Sequence, residues 1–133
     1  MAIPSGSGSE VLRNFAINQN TGLAYVDFGG TTGTGSVRTS QNTSGVVSVP
    51  ANVIITVLNI ACTAGNNGHG IVISVDWQGS GTDIQICYGP TLNDNQTFHY
   101  SEKIVLREGD KLKLYNTAAQ CDWTGNFIYQ DWT

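Results

Sequence analysis

The feature that most constrains this chain is the run from Val49 to Cys62, Val-Pro-Ala-Asn-Val-Ile-Ile-Thr-Val-Leu-Asn-Ile-Ala-Cys. It is the longest apolar stretch present, rich in β-branched residues that suit a pleated surface, and a proline opens it. Proline is tolerated at the start of a strand, where no ladder hydrogen bond has to be donated. Side chains alternate along a strand, which sends Val53, Ile55, Val57 and Ala61 one way. Ile54, Leu58, Ile60 and Cys62, with Thr56 among them, point the other way. A strand of a one-sided antiparallel sheet would alternate apolar with polar, and this one is apolar on both faces. The expectation is a β-sandwich whose second face is covered by copies of itself, with Ile54, Leu58 and Ile60 as the oligomer interface.

The 133 residues fit one domain, large enough to bury a core without metal or disulfide staples. Sixteen glycines and a charged fraction of 12% suit a turn-rich all-β protein. A net charge of -4 with scattered basic residues argues against nucleic acid as a partner. No stretch approaches the roughly 20 apolar residues of a membrane span, so no membrane partner is expected. The N-terminus lacks the basic and apolar regions of a secretory signal, and residence in a cytoplasm is the expectation. Cys62, Cys87 and Cys121 match no zinc spacing and are expected to be reduced, buried thiols, with a disulfide between two of them as the lesser alternative.

Residues 1–10 are read as an extended N-terminal arm and residues 11–133 as the domain. Met1 to Ser9 is Gly/Ser-rich and offers almost nothing to bury. Strands are predicted at about Val11–Ile17 and Leu23–Phe28, followed by a Gly/Thr/Ser tract from Gly29 to Gly45 that reads as a surface loop or weak edge strand. After the central strand, an Asn-Gly type hairpin turn at Gly65–Gly70 leads into Ile71–Trp77. Ile84, Ile86 and Tyr88 are expected on one face of the next strand. Phe98–Tyr100, Lys103–Arg107, Leu112–Tyr115 and Cys121–Trp132 complete the set, with Gly125 as a candidate bulge. The expected class is all-β, an antiparallel β-sandwich of jelly-roll type.

Catalytic chemistry is not indicated. His69 lies in a glycine-rich turn and His99 between two aromatics, and no nucleophile elbow surrounds a serine. The carboxylates are dispersed, and Asp110 in the Glu-Gly-Asp turn reads as a turn former that bonds its own backbone. The expectation is a protein that is not an enzyme, with no cofactor and no metal. Trp77, Tyr88, Trp123 and Trp132 could instead form a sugar-stacking platform, although core or interface packing is the commoner use of such residues.

Three segments carry a resemblance: the opening MAIPSGSGSEVLR, the strand VPANVIITVLNIAC, and the hairpin IVLREGDKLKLYN with a last strand ending FIYQDW. In these the chain resembles small virion structural proteins of tailed bacteriophages, many of them oligomeric β-sandwiches. The resemblance implies a capsid decoration or cement protein, a homotrimer bound to the major capsid protein or another virion protein. The arm, with Ile3, Pro4 and Val11, would attach to the particle, while Pro50, Gly109 and Asp110 would be structural positions. The implied location is the virion, assembled in the host bacterial cytoplasm. The alternative is a fibre or tail-tip domain that binds a host glycan through Trp77, Tyr88, Trp123 and Trp132.

Overall fold

Ten strands account for most of the described residues, and the β-branched segments fall in them; the expected hairpin turn at Gly65–Gly70 lies largely outside the described residues. The computed structural model describes residues 8–19, 22–29, 36–39, 46–65, 70–117 and 121–132. In chain order the strands are β1 (Ser9–Gln19), β2 (Gly22–Tyr25), β3 (Ser36–Thr39), β4 (Val53–Ala64) and β5 (Ile71–Asp76). They continue with β6 (Asp83–Tyr88), β7 (Thr97–Tyr100), β8 (Ile104–Arg107), β9 (Lys111–Asn116) and β10 (Cys121–Asp131). The one helical turn among the described residues is a short 3-10 segment, Trp77–Gly79.

The strands form two sheets. One runs β3-β1-β10-β4, with both β7 and β8 on the far edge of β4; the other runs β2-β9-β5-β6. All pairings are antiparallel except β1 with β3. Setting β3 aside, the orders β1-β10-β4-β7/β8 and β2-β9-β5-β6 are those of two interlocked Greek keys, a jelly roll. The expected β-sandwich is present. β3 lies in the tract read as a loop or weak edge strand, and it is an edge strand. β1 starts at Ser9, so Ser9 and Glu10 belong to the sheet, paired with Asp131 and Gln130.

Between the sheets lies one core. Phe15, Ile17, Val57, Phe127 and Trp123 from the first sheet meet Ile71, Ile73, Leu112 and Leu114 from the second, all nearly inaccessible. The Phe28 ring stands edge-on to Phe127 at 5.4 Å. Trp123 buries its polar edge without loss because its Nε1–H donates to Asn116 Oδ1 at 3.3 Å. Gly125 is needed where it is: a Cβ there would come within 2.5 Å of the Phe15 ring, which lies across it from the neighbouring strand.

Two irregularities reorganise the faces. The β4–β10 register pairs Phe127 with Val57 but Asn126 with Asn59, which makes Leu58 an extra residue in β4. Val53, Ile55 and Val57 face the core before this bulge, and Ile60, Cys62 and Ala64 face it afterwards. The bulge therefore sits in β4 and not at Gly125. It also falls between the two short partners of β4, since Ile54–Val57 pair with β8 and Ile60–Thr63 with β7. In the same way Ile86 is an extra residue in β6, because Ile73 faces Cys87 while Ser74 faces Gln85. Ile84 and Tyr88, expected on one face, are thereby placed on opposite ones.

The cysteine expectation is corrected. Cys62 and Cys121 form a disulfide, and only Cys87 is free. The β4 bulge turns Cys62 inward beside Cys121 on β10, with the Cα atoms 6.4 Å apart, within the range a disulfide bridges. Burial raises the Cys87 thiol pKa above its ordinary value.

Candidate functional site

The outer face of the six-stranded sheet presents an apolar row. Leu12 of β1 lies opposite Ile128 of β10, Ile128 opposite Thr56 of β4, and Thr56 opposite Val105 of β8. The ends of the row are open, Leu12 at 58% and Val105 at 65% exposure. The adjacent row is mixed, Glu10–Gln130–Ile54–Arg107, and Gln130 Nε2 donates to Glu10 Oε2 at 3.0 Å. Ile54 and Leu58 are half-buried beside the apolar row. Between the open ends, Ile128 and Thr56 are half-buried.

Ile60 is not part of this surface. It is 1% exposed and lies in the core of its own chain. The cause is the extra residue Leu58, which shifts the alternation by one, so that Ile60 and Cys62 take the inner phase. The apolar character of both faces of the run is thus partly the signature of a bulge, and Ile54 and Leu58 alone remain of the expected trio.

Of the arm residues, Ile3 and Pro4 lie outside the described residues. Val11 is half-buried within β1 opposite Tyr129, in the sheet and not on an arm. His69 also lies outside the described residues, while His99 is exposed on β7 opposite Ala61. Among the described residues no group of three His, Cys, Asp or Glu side chains gathers as a metal site. No helix among them is long and apolar enough to cross a membrane.

The four residues considered for glycan stacking are dispersed. Trp123 is buried in the core. Trp132 lies under the chain at Gly8, where a Cβ would approach its Cε3 to 2.6 Å, and its backbone N–H donates to Asn52 O at 2.9 Å. Trp77 follows the end of β5 with the Arg107 guanidinium 5.1 Å from its ring centre. Tyr88 pairs with Val72 at the opposite end of the β5–β6 hairpin. No common platform exists, because strand direction and core packing send each ring elsewhere.

The outer face of the four-stranded sheet holds a groove of about 430 Å³, lined by Leu23, Val72, Ser74, Gln85, Tyr88 and Tyr115 together with Asp83 and Lys113. Lys113 Nζ donates to Asp83 Oδ2 at 2.6 Å. Burial alone would lower the Lys113 pKa, but this hydrogen bond, with the field of Tyr25, Asp83 and Asp76, outweighs it and raises the value above 10.5. Of this group only Tyr88 is among the candidate site residues that the sequence marks. The alternation of Lys111, Lys113 and Tyr115 against Leu112 and Leu114 was the available signal for the rest.

At the end near Trp77, Asp110 ties three segments together. It is 2% exposed. Its Oδ1 accepts from Gln78 N at 2.9 Å and its Oδ2 from Arg107 N at 3.1 Å. Its backbone oxygen accepts from Val49 N, and Gly109 N donates to Val49 O, both at 3.0 Å. The turn role expected of Asp110 is present, with a longer reach than its own turn.

No protein-family model matches the chain, and no curated protein matches it. Among solved structures it is similar to a chain of the T13 infectious bursal disease virus particle, with 11% identity and a TM-score of 0.44 over 90% of this chain. A second likeness is to a chain of the Gx strain of that virus, at 12% identity and 0.48 over 91% of this chain. This chain spans about a third of those two, 31% and 33%. A third likeness covers 98% of this chain and 95% of a Bacillus endospore appendage protein, from a family of disulfide-linked pili, at 13% identity and a TM-score of 0.42. At such identities and scores none of these carries an argument about what this chain does.

Proposed function

We propose that the chain is a virion structural protein, a phage capsid decoration or cement protein that acts as a homotrimer and has no catalytic role. The observation that carries the reading is the row Leu12–Ile128–Thr56–Val105 across the outer face of the six-stranded sheet, open at both ends and flanked by Ile54 and Leu58. Fully burying an aliphatic side chain of this kind is worth about 1.5–3 kcal/mol, and several such side chains per protomer would drive self-association. The phage setting comes from the sequence resemblance in the opening segment, the central run and the Gly109-Asp110 hairpin.

In this reading the sandwich is a rigid block fastened by Asp110 and the Cys62–Cys121 bridge. Its apolar face meets its own copies, and residues 1–10 reach the major capsid protein or another virion protein. Binding that favours the assembled shell stabilises it by mass action. Assembly takes place in the host cytoplasm, and the disulfide belongs to the particle's oxidising life outside the cell.

The test is direct. Particles of the phage that encodes the chain, purified and dissociated, are examined by peptide mass spectrometry. The chain is expected among the virion polypeptides in a stoichiometric amount. Its absence from intact particles would overturn the proposal.

A further inference from the structure

The side chains on the outer face of the four-stranded sheet are arranged in rows by the strand register. Leu23 of β2 lies opposite Tyr115 of β9, Tyr115 opposite Val72 of β5, and Val72 opposite Tyr88 of β6. This row is apolar and aromatic throughout. The next row, one step along each strand, is Tyr25–Lys113–Ser74–Gln85, and it is composed of hydrogen-bonding groups. Tyr88 is 76% exposed and Tyr115 39%, so two rings stand open along one side of the groove while an ammonium, a hydroxyl and an amide line the other.

We propose that this face is a carbohydrate-binding platform for a neutral oligosaccharide lying across β9, β5 and β6. A pyranose ring has a face of C–H groups and a rim of hydroxyls, and the two rows offer the complement of each. Aromatic side chains supply large contact area with a polar tip, and a small set of placed polar groups fixes orientation. Tyr115 and Tyr88 are two strand spacings apart, ~10 Å, about the length of a disaccharide.

The charge pattern favours a neutral ligand. Among the described residues the one cation lining the groove, Lys113, is held by Asp83 at 2.6 Å, and that carboxylate balances it. A nucleic acid would need cations free for its phosphates. A folded protein partner would bury roughly 800 Å² on each side, and a shallow groove of about 430 Å³ is matched instead to a small ligand. The bulge at Ile86 is what makes the site. It turns Tyr88 into register with Val72 on the outer face, where an unbroken alternation from Ile84 would have sent it inward. The platform is on the sheet opposite the Leu12–Val105 row and does not depend on the virion reading.

The experiment uses the full chain, fluorescently labelled, on an array of neutral glycans, followed by calorimetric titration of the strongest binder. Saturable binding is expected, with amide chemical-shift changes confined to β5, β6 and β9. Tyr88→Ala, and separately Tyr115→Ala, are expected to weaken it by about tenfold, the scale of one aromatic stacking contact. Tyr88 is open to solvent, so the variant should melt as the parent does, separating lost contact from lost fold. Gln85→Ala is expected to weaken binding several-fold. No saturable binding across the array would overturn the proposal, as would binding that both tyrosine variants leave unchanged or shift changes centred on Trp77.

Discussion

Asp110 accepts hydrogen bonds from the backbones of Gln78 and Arg107 while buried at 2% exposure. Hydrogen bonds to a charged group are each worth about 1.5–3 kcal/mol, and orphaning their donors adds cost. Asp110→Ala is therefore expected to lower unfolding stability by about 3 kcal/mol in urea titration. Asp110→Asn, which keeps one acceptor oxygen, should lose about half as much. The Cys62–Cys121 bridge joins residues 59 apart, and a loop of that length corresponds to about 4 kcal/mol in the chain-entropy account. The Cys62→Ser/Cys121→Ser variant should lose stability on that scale, and reductant should have no further effect on it. Lys113 has its folded pKa raised above the usual 10.5, so its ion pair with Asp83 contributes fully below the unfolded value. That contribution is lost as pH rises above about 10.5 through the folded pKa. Comparing the melting of the parent and Lys113→Met across that window should show the gap between them closing as pH rises.

At the scale of the element, the two bulges decide which residues become surface. Most strand positions were legible in the sequence, because β-branched runs, Gly/Asn turns and the Glu108-Gly109-Asp110 corner act locally. The faces were legible only as far as each strand stays regular. Past Leu58 the straight alternation assigned Ile60 and Cys62 to the wrong side, and past Ile86 it placed Tyr88 with Ile84. Register belongs to the pairing with β10 and β5, and a single sequence does not display its partner strand. The disulfide was hidden for the same reason, since only the shifted phase turns Cys62 toward Cys121. The consequence is testable by substitution. Ile60→Ala should cost about 3 kcal/mol, as a cavity in the core does. Ile54→Ala, on the outer face, should cost less than about 1.5 kcal/mol in the dissociated chain.

For the whole molecule, a sandwich of jelly-roll type could be read from the spacing of short strands, but which strands pair could not. Pairings such as β1 with β10 and β2 with β9 join distant parts of the chain, and no local pattern encodes them. The outer apolar row was only partly legible. Ile54 and Leu58 flank it, while its open ends, Leu12 and Val105, sit in strands that each look ordinary alone. Only the sheet aligns them with Ile128. In the proposed reading the two outer faces divide the work, an apolar one for copies of the chain and an amphipathic one for a small ligand. Self-association through the apolar face is read from solution mass by light scattering, for the parent and for Leu12→Glu/Val105→Glu. The parent is expected to be a trimer that reductant does not dissociate, and the variant a folded monomer. A monomeric parent, or a variant that keeps the parent's mass, would contradict this expectation.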